Sequence, residues 1–248
     1  MLSWNAARCW SSLALAGLLL AAGRAYAFGP VELLSKADPV LPPHAVGTAT
    51  NASLSADGRY VAFESSAPNL LPGMHEGNNG SDVFLWDRQT QTLTLVSRSA
   101  SSSTRTSNGS SSTPKVSADG NWVAFTSSST DLVAGQIDSS STTDVFLWQR
   151  ATGAITLVSR AASSPLTTGN GFHFASSVDL SADGAWVTFR SDSTDLVTGQ
   201  VDTNGLYDVY LFDRGTGTTV LVSHASGSHR MPDVAIYWNA FHFHSCDD

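Results

Sequence analysis

The stretch LSADGRYVAFESS at 54–66 returns as VSADGNWVAFTSS at 116–128 and again as LSADGAWVTFRSD at 180–192. A chain that repeats itself this closely is confined to folds built from equivalent units, each burying its apolar surface against the next. Two further marks keep the same step. Asp82, Asp144 and Asp208 open an Asp-Val-aromatic run, and Ser97, Ser159 and Ser223 close a Val-Ser pair. All three marks recur at spacings of 62 and then 64 residues, which composition bias does not produce.

Each unit reads as four strands. In the second, a strand ends at KVS (115–117) and Asp119-Gly120 turns the chain, glycine supplying the left-handed position. The second strand is NWVAFTS (121–127), the third DVFLWQR (144–150), and a tight ATGA turn leads to the fourth, ITLVSR (155–160). VFLW, VFLW and VYLF at the centres of the third strands are apolar at every position, so both of their faces must be covered. Four-stranded antiparallel sheets stacked face to face around an axis meet that condition, as the blades of a β-propeller. A long sandwich and a β-solenoid are the competing all-β folds.

The pattern SADGxxVxF followed by DVF/YLxxRxTGxxxLVS resembles the TolB-like, WD-repeat-like propeller repeat over most of residues 48–224. The resemblance implies an all-β propeller and an exported bacterial protein. Such proteins act as periplasmic scaffolds, as surface proteins or as domains joined to hydrolases. No segment of this chain resembles a hydrolase domain.

The predicted organisation is a leader at 1–27, a strand and linker at 28–47, blades at 48–98, 99–160 and 161–224, and a partial, degenerate blade at 225–248. The leader carries Arg8, an apolar run from Ser11 to Ala22, and a small-x-small site at Ala25-Tyr26-Ala27. Cleavage there predicts a periplasmic or secreted protein without membrane insertion. The ends align with missing pieces of a blade: VELLSK (31–36) with a fourth strand, PDVAIYWNAFHFHS (232–245) with a first and second. Together they would close the ring as a composite fourth blade and leave a monomer. A truncated or frame-shifted remnant of a longer propeller, or two open arcs pairing through their edges as a dimer, would account for the same ends.

Loss of Arg8 and Arg24 with the leader takes the formal charge from −8 to −10, which disfavours nucleic acid and anionic lipid as partners. Only Cys246 remains after processing, so no internal disulfide is expected. The connections after the second and fourth strands are long, polar and on one face, as in SAPNLLPGMHEGNNGS (66–81) and SASSSTRTSNGSSST (99–113). That face is the expected place for binding, unless its loops are only flexible spacers.

Candidate chemistry is sparse. Asp202, Asn204 and Asp208 have the oxygen-rich spacing of a calcium loop without its terminal glutamate; the recurrence of Asp208 in every unit favours turn capping over a single metal site. His242 and His244 alternate with Phe241 and Phe243 close to Cys246, with His224 and His229 upstream, short of a convergent metal set. No G-x-S-x-G or H-E-x-x-H motif is present. The unrepeated residues His75, Glu76, His173 and Arg190 stand outside any motif. The expectation is therefore a non-catalytic exported scaffold, with no cofactor beyond the calcium candidate, that binds a protein or glycan through its loop-rich face. The alternatives are a remnant of a larger propeller and a small hydrolase or lyase working in the central channel. An unrepeated acid–base pair at the channel mouth would favour the enzyme, and an apolar or aromatic patch there would favour binding.

Overall fold

A computed structural model describes residues 47–139, 142–173 and 177–224. Both end fragments proposed for a composite blade lie outside these residues, as do His229, His242, His244 and Cys246. Twelve strands are present among the described residues. The first sheet holds β1 (Ala49–Leu54), β2 (Tyr60–Ser65), β3 (Asp82–Asp87) and β4 (Thr92–Leu95). The second holds β5 (Ser111–Val116), β6 (Trp122–Ser127), β7 (Asp144–Gln149) and β8 (Ile155–Leu157). The third holds β9 (Asp179–Leu180), β10 (Trp186–Ser191), β11 (Asp208–Asp213) and β12 (Thr218–Leu221). Each is an antiparallel meander in chain order. The first strands of neighbouring sheets approach one another, β1 to β5 and β5 to β9, so the sheets converge on that edge as propeller blades do.

The all-apolar third strands are explained by what lies on their two sides. Val83 and Leu85 of blade 1 pack against Phe125, Phe146 and Trp148 of blade 2. Val145 and Leu147 of blade 2 pack in turn against Phe189, Tyr210 and Phe212 of blade 3. Alternate residues of β7 thus point to the preceding and the following blade. In each of these seams the third strand of one blade offers valine and leucine, and that of the next blade offers aromatic rings. The first five residues of β3 and of β7 are all buried, whereas in β11 only Tyr210 and Phe212 are.

Both seams among the described residues are stitched in the same way where the sheets converge. The Ala56 amide donates to the Ala118 carbonyl at 3.0 Å, and the Ala118 amide to the Ala182 carbonyl at 2.8 Å. Gly120 and Gly184 hold left-handed backbones at φ 69° and 66°. A side chain at either would run into the preceding blade's aromatic ring, Tyr60 or Trp122. The guanidinium of Arg150 lies 4.6 Å over Tyr60 and that of Arg214 4.0 Å over Trp122. These same arginines reach the turn carbonyls of Gly120 and Gly184 in their own blades.

Candidate functional site

The repeated residues hold the blade together. Ser55 Oγ donates to Asp57 at 2.6 Å and accepts the Tyr60 amide, while Asp57 accepts the Arg59 amide. Ser117 with Asp119 and Ser181 with Asp183 repeat the arrangement. Hydrogen bonds from the serine hydroxyl and the backbone hold the Asp57 and Asp183 carboxyls below their ordinary range. The Val-Ser mark is the partner of the second aspartate. Ser97 donates to Asp82, Ser159 to Asp144 and Ser223 to Asp208, at 2.7–2.9 Å. Each of these hydroxyls also accepts the amide that follows its aspartate, Val83, Val145 or Val209. Burial pushes the Asp82 carboxyl up to about 8 against the opposing Ser97 bond.

The loop-rich face is built rather than loose. The segment around His75 runs parallel to that around Arg105, and Ile137 pairs with Thr167 in the same way. Half-buried Glu76 accepts the Asn78 and Asn79 amides and the Thr106 hydroxyl. Asn78 then donates to the Ser107 and Gly109 carbonyls. His75 enters this belt through its backbone, and its side chain is exposed.

Asp202 occupies in blade 3 the place of Glu76. Its Oδ1 accepts the Asn204 and Gly205 amides, and Asn204 Oδ1 accepts the Leu206 amide. Asp208 serves the Ser223 hydroxyl. Asp202 and Asn204 share a loop and Asp208 opens β11, and each has an oxygen engaged in turn or blade chemistry. Among the described residues no group of three or more His, Cys, Asp or Glu side chains converges as metal ligands.

Blade 3 departs from the repeat in two places. His173 stands where blade 2 has Ser111, pairing with Ser191 as Ser111 pairs with Ser127. It is fully buried, with Nε2 3.3 Å from Oδ1 of the buried Asp144 in the preceding blade. Neither ring nitrogen nor Asp144 Oδ2 has a hydrogen-bond partner among the described residues. Burial raises the Asp144 carboxyl, and the adjacent imidazole opposes the rise. The ring of His173 meets Phe189 edge-on at 5.9 Å. Among the described residues this acid–base pair is found at one of the two seams, and it is closed to solvent.

The second departure is a surface. Phe172 and Tyr207 replace Ser110 and Thr143 of blade 2, and their rings meet edge to face at 6.3 Å. Arg190 lies 5.4 Å over Tyr207. Both rings are 39% exposed, and the neighbouring loop positions Leu206 and Val201 reach 65% and 80%. Sequence reading singled out His173 and Arg190 as unrepeated but missed Phe172 and Tyr207. Their signal was available as large aromatics at positions where the other units carry serine or threonine.

No protein-family model matches the sequence, and no curated protein matches it. Solved structures share the arrangement of sheets at low identity. The Agrobacterium tumefaciens protein assigned as TolB is 17% identical, with 70% of this chain and 48% of that chain covered and a TM-score of 0.40. The β-propeller domain of the trilobed protease from Pyrococcus furiosus is 10% identical, covering 70% and 41%, with a TM-score of 0.39. An oligogalacturonate lyase in complex with manganese is 12% identical, covering 68% and 38%, again at 0.39. The chain therefore spans less than half the length of these structures, and similarity this distant carries no functional inference.

Proposed function

We propose that the protein is an exported propeller scaffold that binds a protein or glycan partner through its loop-rich face, without catalysing a reaction. The observation that carries this reading is the patch of Phe172, Tyr207 and Arg190. Aromatic rings backed by a guanidinium, half-exposed on hydrogen-bonded loops, form a pre-organised contact surface. Export rests on the leader sequence at 1–27. A photo-reactive residue at Leu206, beside the patch, should give a discrete adduct in intact cells. The same residue at Thr90, on the tight-turn face, should not. Phe172→Ala with Tyr207→Ala should then weaken the captured complex about tenfold or more. Equal labelling from the two faces would overturn the reading.

The enzyme reading has one observation of its own, the unrepeated His173–Asp144 pair. Side chains closed inside a seam touch no substrate until the blades part. A His173→Asn variant that keeps its fold but loses a measured turnover would reverse the order of these two readings.

A further inference from the structure

The seam between blades 2 and 3 opens at the outer rim into a groove of about 580 Å³. Its walls are Arg160 and Pro165 after β8, Leu196 and Val197 from the loop after β10, and Thr218 and Thr219 at the start of β12. Arg160 Nη2 donates to the Gly217 carbonyl, and its guanidinium lies 5.2 Å over the Phe212 ring. Among the described residues it has no carboxylate partner, unlike Arg59, which pairs with Asp87 at 2.7 Å. Burial alone depresses its pKa, and no acid compensates.

The seam between blades 1 and 2 has the same framework with a different lining. There Arg98 donates to the Gly153 carbonyl at 2.7 Å, but Ala154 and Ile155 stand in place of Thr218 and Thr219. Ile155 packs against the apolar core of its seam. Threonine at this position replaces that apolar cover with a polar side chain on the groove that Arg160 also lines. The outer edge of β12 also ends its sheet, so its backbone groups on that side have no strand partner among the described residues.

We propose that this groove binds the free C-terminal end of an extended peptide, with its carboxylate on Arg160 and an apolar last side chain on Leu196, Val197 and Pro165. The chemistry follows from the walls. A planar guanidinium fixed by one carbonyl keeps further donors in a fork suited to a carboxylate. The apolar floor takes a side chain, and the open edge of β12 can accept peptide backbone. The groove has the volume of a small-ligand site. Among the described residues no aromatic side chain lines it, and the Phe212 ring beneath Arg160 is buried, so no ring face is offered to a sugar. The site is separate from the Phe172–Tyr207 patch and does not depend on it.

The test uses the whole chain and two synthetic probes, N-acetyl-Gly-Ala-Ala-Leu with a free carboxylate and its C-terminal amide, measured by titration calorimetry at low salt. The free acid should bind, and the amide should bind about tenfold or more weakly. Arg160→Gln should bring the acid down to the level of the amide. Because Arg160 also braces Gly217, Ser163→Glu supplies a second variant. It places a carboxylate at the exposed mouth and should cut acid binding without altering the melting temperature. Arg98→Gln, at the other seam, should leave binding unchanged. Absence of acid binding, equal affinity for acid and amide, or full affinity in Arg160→Gln would each overturn the proposal.

Discussion

β7 and β11 are nearly the same strand, DVFLWQ and DVYLFD, yet they live in different surroundings. Val145 and Val158 of blade 2 are fully buried; their counterparts Val209 and Val222 in blade 3 are 36% and 50% exposed. On the opposite face the two strands agree, with Phe146 and Tyr210 both at 0%. The difference is therefore confined to the side on which, among the described residues, no further blade packs. A blade is finished by its neighbour, and seam contacts rather than strand propensity decide how much each residue contributes. Burying one such aliphatic side chain stabilises the fold by about 1.5–3 kcal/mol, so the same residue is worth much more in β7 than in β11.

The sharpest way to break this comparison is at the turns. Gly58, Gly120 and Gly184 share a left-handed conformation, but nothing lies within 4 Å of a side chain placed at Gly58. At Gly120 a side chain meets the Tyr60 ring. Gly120→Val should cost roughly 3–5 kcal/mol, combining left-handed strain in a β-branched residue with overpacking at the seam. Gly58→Val should show only the strain, about 1–2 kcal/mol. Equal losses in chemical denaturation would mean that the seam contributes nothing at this turn.

Next in size is a pair of truncations. Leu147 is buried against blade 3, whereas Leu211, its counterpart, is only half-buried. Leu147→Ala should cost about 2–4 kcal/mol and Leu211→Ala about 1 kcal/mol or less. If Leu211→Ala proves as damaging as Leu147→Ala, the trailing face of blade 3 is covered in solution and the contrast between the blades disappears.

Much of this architecture was legible because the repeat samples each position three times. The Asp-Gly turns, the third strands buried on both sides and the meander order all follow from patterns that chain geometry imposes. β8 came out shorter than expected, Ile155–Leu157, because Val158 and Ser159 leave the ladder to bond the Val145 carbonyl and Asp144. The roles of the serines were harder to read. Ser117 and Ser159 are hydrogen-bond partners of Asp119 and Asp144, and a serine's partner depends on tertiary placement that periodicity does not encode. The two special features of blade 3 were written as departures from the repeat. The longer 64-residue step enters between Thr168 and Asp183, the stretch that carries Phe172 and His173. That insertion marks where the chain differs, but neither the approach of His173 to Asp144 nor the meeting of Phe172 with Tyr207 can be read without the stacked blades. Arg160 gave no signal at all, because Arg98 repeats it and only the threonines opposite set its groove apart.

The smallest expected effect concerns a buried charge. Asp82 is buried, and desolvation lifts its carboxyl from 3.8 to about 8 in the folded chain, with Ser97 donating to it. The folded state thus holds a proton that the unfolded state releases near pH 4. The resulting stabilisation is fully present below about pH 4, is lost progressively as pH rises toward 8, and changes no further above it. Asp82→Asn mimics the protonated carboxyl and removes this dependence. Relative to wild type it should gain nothing at pH 4 and roughly 1–3 kcal/mol at pH 8, a range set below full linkage because water and Ser97 soften the penalty. The same exchange at Asp208, which is half-buried and also accepts a serine hydroxyl, is the control for the hydrogen bond itself. Urea denaturation of the two variants and wild type from pH 4 to 8 measures all three curves. Parallel wild-type and Asp82→Asn curves would show that the Asp82 carboxylate is solvated in the folded state. They would also show that the surroundings of Asp82 are no drier than those of its half-buried counterpart Asp208.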